Sequence, residues 1–195
     1  VVGTANFGTE YGHFSQKKVD KNNIRKILST SRKNNIYTLD TAQDYKSSEK
    51  LLGVIGVNDF NIISKIKVKE NTSHSLQVYF KNKVLYSLKK LKIKSLYGLL
   101  IRNPVNTILE NGKEVLYLAN KLKKEGLFKK LGVTIYNPDE LDLIFSVFKP
   151  DIVQAPYNIF DRRIEVSGWL KKLYVNNVEF HCRSIFLQGL LLKKK

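Results

Sequence analysis

Apolar residues recur along this chain in two alternating rhythms. Short runs rich in Val, Ile and Leu are followed by longer stretches in which apolar residues return every three or four positions. The short runs read as β-strands and the longer stretches as amphipathic helices. Strands are expected at Val1–Ala5, Ile36–Thr41, Asn61–Ile66, Leu96–Ile101, Lys130–Ile135, Asp151–Ala155 and Val178–Ile185. Helices are expected between them at Lys21–Asn34, Ser48–Val54, Ser73–Leu91, Lys113–Glu125, Pro138–Phe148 and Arg162–Tyr174. The first should turn Ile24, Ile27 and Leu28 inward. The clearest is Ser73–Leu91, where Leu76, Phe80, Val84, Leu88 and Leu91 share one face. Ser48 is placed to cap its helix, Gly126 to stop one, and Pro138 to open one.

Strand–helix alternation with short apolar strands predicts a parallel sheet covered by helices. A doubly wound sheet usually carries a glycine-rich turn after its first strand, and no G-x-G-x-x-G occurs here. The expected architecture is therefore an α/β fold of the (β/α)8 TIM-barrel type, with about seven of its eight strands present. With no internal repeat and no low-complexity linker, residues 1–195 read as a single barrel domain, incomplete at its C-terminal end. The chain stops at Lys193–Lys195 directly after an apolar run, which supports that last expectation, and its lack of methionine makes the N-terminus read as a truncated or processed end.

Composition narrows the classes further. The chain is 43% hydrophobic and 26% charged, which suits a soluble globular domain. No apolar run reaches the roughly 18 residues that a membrane span needs. The start lacks the basic flank and apolar stretch of a signal peptide. The lone Cys182 has no disulfide partner, and no Cys or His cluster points to a metal. A cytoplasmic protein without a membrane partner is the expectation. The net charge of +17 raises the question of nucleic acid. The lysines are spread along every helix rather than gathered on one, so no specific nucleic-acid partner is expected.

In a TIM barrel, chemistry gathers where strands end at their C-terminal side. Those positions hold Asn6, then Asp40-Thr41-Ala42 with Tyr45 just beyond, then Ser64-Lys65, Arg102-Asn103-Pro104, Thr134, Gln154 and Arg183-Ser184. Asp40, Tyr45 and Lys65 could form an acid catalyst. A tyrosine with a pKa near 10 is a poor proton donor at neutral pH. A cationic lysine beside it would lower that pKa, and a buried aspartate would fix and balance the lysine. The same residues could equally form an ordinary salt bridge beside an unrelated tyrosine. His13, His74 and His181 lack metal spacing and read as surface or structural residues. Cys182 reads as a small hydrophobe on a buried strand, and Trp169 as a residue packing a helix onto the barrel.

The segment Asp40-Thr41-Ala42-Gln43-Asp44-Tyr45, followed by Ser48-Glu49-Lys50-Leu51-Leu52-Gly53, resembles the aldo-keto reductase signature D-T-A-x-x-Y-x-x-S-E-x-x-L-G. Ser87–Leu91 and Leu99–Ile101 resemble that family's S-L-x-x-L helix and its fourth strand. Gly132-Val133-Thr134 is similar to its G-V-S turn, and Gln154–Asn158 to its Q-x-x-Y-N segment. Arg183–Leu191 resembles its strand-seven segment, especially in a bacterial branch met near surface-polysaccharide genes. The matches run in family order over nearly the whole chain.

The resemblance implies an NAD(P)H-dependent reduction of an aldehyde or ketone to an alcohol. NADPH is the implied cofactor, with NADH as the other option, and a small carbonyl compound is the implied partner. Tyr45 would be the general acid, tuned by Asp40 and Lys65. Thr134 and Gln154 would hold the nicotinamide carboxamide, Ser184 would lie near the pyrophosphate, and Thr4, Asp40 and Arg183 would complete the cofactor side. Substrate would enter between the loops after strands one, four and seven. The sequence departs from the family pattern at Arg102, where a histidine usually ends strand four, and at Arg183, where a tyrosine often stacks on the nicotinamide. Segments after Leu192 that grip the adenosine phosphate are also missing. Arg102 would then polarise the carbonyl or bind an acidic substrate. The alternative is a weakly active or inactive relative that keeps the fold as a binding module.

Overall fold

The structure is a computed structural model that describes residues 1–10, 18–68 and 76–192. Seven strands form one parallel sheet in the order β1 to β7. They are β1 (Val2–Gly3), β2 (Thr38–Asp40), β3 (Asn61–Lys67), β4 (Leu96–Arg102), β5 (Phe128–Thr134), β6 (Ile152–Pro156) and β7 (Glu179–Arg183). The helices between them are α1 (Ala5–Gly8), α2 (Lys21–Lys33), α3 (Ser48–Ile55), α4 (Leu76–Leu91), α5 (Pro104–Lys124), α6 (Glu140–Val147), α7 (Arg163–Val166) and α8 (Trp169–Val175). A 3-10 segment, Leu187–Leu192, follows β7.

The sheet is curled rather than flat. In a flat sheet β2 and β6 would lie roughly 19 Å apart, four strand spacings. Here the Gln154 amide of β6 donates to the Asp40 carboxylate of β2 at 3.0 Å. Tyr97 of β4 likewise donates to Glu179 of β7 at 2.5 Å. Side chains fill the interior in layers, as in TIM barrels. Ile63, Leu100 and Ile152 form the middle layer. Gly98 leaves room for it: a Cβ there would lie 2.8 Å from the Ile152 side chain and 3.3 Å from that of Ile63. The fold is thus the expected barrel type with seven strands. Among the described residues β1 and β7 do not pair, so the sheet keeps two open edges.

The outer face of the sheet packs on the helices. Ile24 and Leu28 of α2, with Phe80, Val84, Leu88 and Leu91 of α4, join one core. A second core joins β5 and β6 to α6–α8, with Trp169 buried against Phe145 at 4.8 Å between ring centroids. Among the described residues no helix is long and apolar enough to cross a membrane.

Several boundaries differ from the sequence reading. The first strand is two residues long, and Ala5–Gly8 turns at once into α1. Helix α5 begins at Pro104, far ahead of Lys113, behind a left-handed Asn103, and bends at Asn111. The expected helix 162–174 is split at Gly168, whose φ of 78° breaks the helical path. Ser48 is not a cap: Ser47 holds that position, and Ser48 is the first, fully buried helical residue. Cys182 is exposed rather than buried, because β7 is an edge strand paired on one side only. His13, His74 and Lys193–Lys195 lie outside the described residues.

Candidate active site

Alternation along the strands decides what faces the barrel interior. On β3 to β7 the inward row carries, toward the C-terminal mouth, Lys65, Arg102, Thr134, Gln154 and Arg183. Every one is polar. Asp40 closes β2 beside them.

Lys65 is buried, and its ammonium donates to both Asp40 oxygens at 2.6 and 2.7 Å. A third bond, at 3.0 Å, goes to the Thr41 carbonyl. Gln154 adds a donor to the same carboxylate at 3.0 Å. The three ammonium hydrogens are thus fully used. The ammonium lies 5.1 Å from the centroid of the Tyr45 ring, close enough for cation–π attraction. Burial lowers the Lys65 pKa, Asp40 opposes that, and Arg102 and Arg183 add to the lowering.

Tyr45 comes to this point on a loop held by α1. A Cβ on Gly8 would lie 1.7 Å from the Tyr45 carbonyl oxygen, so only glycine lets the two segments touch. Ser48 pins the loop from the other side, with its hydroxyl 3.0 Å from the Thr4 carbonyl and 2.9 Å from the Thr4 hydroxyl. Thr4 is itself fully buried, and its hydroxyl donates to the Asp40 carbonyl at 3.0 Å. Its hydroxyl braces the turn that carries Asp40.

The electrostatics reverse one expectation. Lys65 was expected to lower the Tyr45 pKa; instead it is pushed up to about 12. Burial is the main cause, the Asp40 charge adds to it, and Arg102 and Arg183 only partly offset it. The lysine charge is already balanced by Asp40, so little of it remains to favour a phenolate. The result is a phenol held firmly in its protonated form.

Arg102 pairs with Asp44, on the loop just ahead of Tyr45. Thr134 and Gln154 sit in register on β5 and β6. The Thr134 hydroxyl and the Gln154 amide oxygen keep no described hydrogen bond. Arg183 crosses from β7 to donate to the Ile135 carbonyl at 2.9 Å, and its guanidinium lies over the Tyr136 ring, 4.1 Å from the centroid. Its Nε is buried without a partner. Ser184 lies exposed just past β7 with a φ of 59°. The structure therefore gathers Asp40, Tyr45, Lys65, Gln154, Arg102 and Arg183 at one mouth, with Thr134 on the adjoining strand end and Ser184 at the rim.

Two residues here escaped the sequence reading. Tyr136 follows β5 and is approached by both arginines, and Asp44 anchors Arg102. Only their neighbourhood in the signature segments could have flagged them.

The model of the aldo/keto reductase family matches residues 1–195. No match was found among curated proteins. The fold is shared with an aldo-keto reductase from Bacillus halodurans in its holo form, at 21% identity and a TM-score of 0.79, covering 100% of this chain and 64% of that one. It is shared with one from Klebsiella pneumoniae in complex with NADPH, at 16% identity and a TM-score of 0.76, covering 96% and 64%. It is also shared with a glycerol dehydrogenase from Gluconobacter oxydans, at 23% identity and a TM-score of 0.73, covering 97% and 60%. This chain thus spans less than two thirds of the length of each of these three. The match of the family model over its whole length is decisive: the chain belongs to the aldo/keto reductase family.

Proposed function

We propose that this protein reduces an aldehyde or ketone to an alcohol with NADPH, or with NADH. The observation that carries this reading is the buried Asp40–Lys65 pair with the Tyr45 ring above it at the barrel mouth. The Tyr45 hydroxyl keeps its proton until a carbonyl oxygen arrives, and then donates it. Asp40 holds the Lys65 ammonium in place, and Gln154 holds Asp40. The Lys65 ammonium, packed against the Tyr45 ring, would hold that ring over the mouth. Arg102 would reach the carbonyl oxygen as a fixed donor.

The residues present fit a nicotinamide cofactor. Thr134 and Gln154 offer a hydroxyl and an amide oxygen, side by side, for a carboxamide. Ser184 and Thr4 would complete that side, Ser184 near the pyrophosphate and Thr4 through its hold on Asp40. When bound, the cofactor supplies the hydride.

A second reading is a binding module without turnover. The pair between Arg102 and Asp44 favours it, because it draws the strand-four donor toward the loop. One assay separates the two: absorbance at 340 nm of NADPH mixed with the full-length protein and a panel of aldehydes and ketones. Loss of NADPH with formation of the alcohol supports the reductase. Binding of NADPH without loss supports the module. Neither binding nor loss would overturn both.

A further inference from the structure

Arg102 and Arg183 stand at the ends of β4 and β7, and both side chains turn in over the mouth. Arg102 reaches back past β3 to Asp44, and Arg183 reaches past β6 to the end of β5. The Tyr136 hydroxyl is approached by both guanidiniums. Both charges also act on Tyr45 and Lys65. Two cations thus stand at the same mouth as the phenol and the ammonium, near enough for their charges to act on both.

Their charges are balanced unequally. Lys65 has Asp40, and Arg102 has Asp44, whose carboxylate is half-exposed. No described carboxylate forms an ion pair with Arg183, and its buried Nε donates to nothing. A guanidinium with unused donors, half-exposed at the mouth, can hold an anion through charge-assisted hydrogen bonds. The neighbouring phenol registers the same field. The hydrogen bond from Arg183 lowers the Tyr136 pKa; burial opposes it, and Arg102 adds to the lowering. Negative charge is favoured at this spot. Arg102 commits one nitrogen to Asp44 and keeps further donors of its five.

We propose that Arg102 and Arg183 clamp a carboxylate, and that the substrate is a 2-oxo acid whose carbonyl faces Tyr45. The adjacency decides the class. In a 2-oxo acid the carboxylate and the reacting carbonyl are on neighbouring carbons, which suits two guanidiniums at the same mouth as the phenol on which their charges act. The step rests on the reductase reading above. The carbonyl carbon gains a hydride from the dihydronicotinamide, which is oxidised. The C=O π electrons move to oxygen, and that oxygen takes the Tyr45 proton. The product is a 2-hydroxy acid, and the carboxylate changes no bonds.

The test is calorimetric binding of oxamate, a 2-oxo acid mimic, against pyruvamide, its neutral counterpart, to the full-length protein. Oxamate is expected to bind the native protein, and Arg183→Gln and Arg102→Gln to weaken it about 10- to 100-fold. Pyruvamide should shift less than about twofold, the size of a lost uncharged contact. Arg183→Lys, which keeps a cation, should lose less than Arg183→Gln. Unchanged oxamate binding in both glutamine variants overturns the clamp. So does an equal loss of oxamate and pyruvamide, which would mean a distorted mouth. If Arg183→Gln weakens NADPH binding and spares oxamate, the cation serves a cofactor phosphate and the clamp also falls. The two readings fail separately. Oxamate binding without any carbonyl turnover keeps the clamp and sinks the reductase; aldehyde turnover without oxamate binding does the reverse.

Discussion

The two ends of the barrel hold similar polar side chains and use them differently. At the N-terminal end, Lys130 and Tyr97 both meet Glu179, and His181 lies 3.4 Å from the same carboxylate. Lys130 and Glu179 balance each other's charge there, while the buried His181 Nδ1 keeps no hydrogen-bond partner. At the C-terminal end, Lys65 and Asp40 are matched, but of the two further cations Arg102 pairs with the half-exposed Asp44 and Arg183 forms no described ion pair. The middle layer of Ile63, Leu100 and Ile152 separates the two ends. A balanced charge is what a structural cluster needs. Unused donors beside a protonated phenol mark the end where a ligand belongs.

Breaking the matched pair at the mouth should have the largest effect. Lys65→Met would leave Asp40 in a largely buried place without its cation. A loss of about 3 kcal/mol is expected in urea unfolding, as for other broken buried pairs. A loss below about 1 kcal/mol would mean that the pair behaves like a surface one.

The raised Tyr45 pKa gives the next effect, and its sign is fixed by linkage. Between the ordinary tyrosine value of 10 and about 12, the unfolded chain loses this proton while the folded one keeps it. Stability should therefore fall as pH rises through that window. Tyr45→Phe should remove a part of the fall on the order of 2 kcal/mol. Parallel pH–stability curves for the two proteins would show that the phenol is not buried as described.

The smallest effect is expected at the other end. Burial works against ionised Glu179, but hydrogen bonds from Lys130 and Tyr97 outweigh it and hold its pKa below the ordinary value. The stability this gives is present above that ordinary value and is lost as pH falls through the lowered one. Glu179→Gln should cost about 0.5–1 kcal/mol near neutral pH, because the group is a third exposed. It should leave oxamate binding unchanged. A loss of binding from that end would erase the distinction between the two.

Much of this was legible in the chain. The strands β3, β4 and β6 announced themselves because their apolar runs are buried on both faces, and that leaves a strong local signal. Asp40, Tyr45 and Lys65 were legible as a set because strand ends in a barrel converge. Other features depend on contacts far along the chain. Arg102 and Asp44 are 58 positions apart, and no local pattern joins them. Tyr136 gains its meaning only when Arg183 crosses over from β7. The exposure of Cys182 depends on which strand lies at the edge, which composition does not encode. The direction of the Tyr45 shift was missed for a related reason: spacing places a lysine near a phenol, but burial and the neighbouring carboxylate decide the balance.

The central claim is that Tyr45 is the proton donor of a carbonyl reduction. The most direct measurement is single-turnover reduction by the full-length protein and by Tyr45→Phe, with NADPH binding measured on both. The account predicts that binding is nearly unchanged while the reduction rate falls about 10²–10⁴-fold, the range that general acid catalysis contributes. A Tyr45→Phe protein that binds NADPH and reduces the carbonyl at the native rate would contradict it.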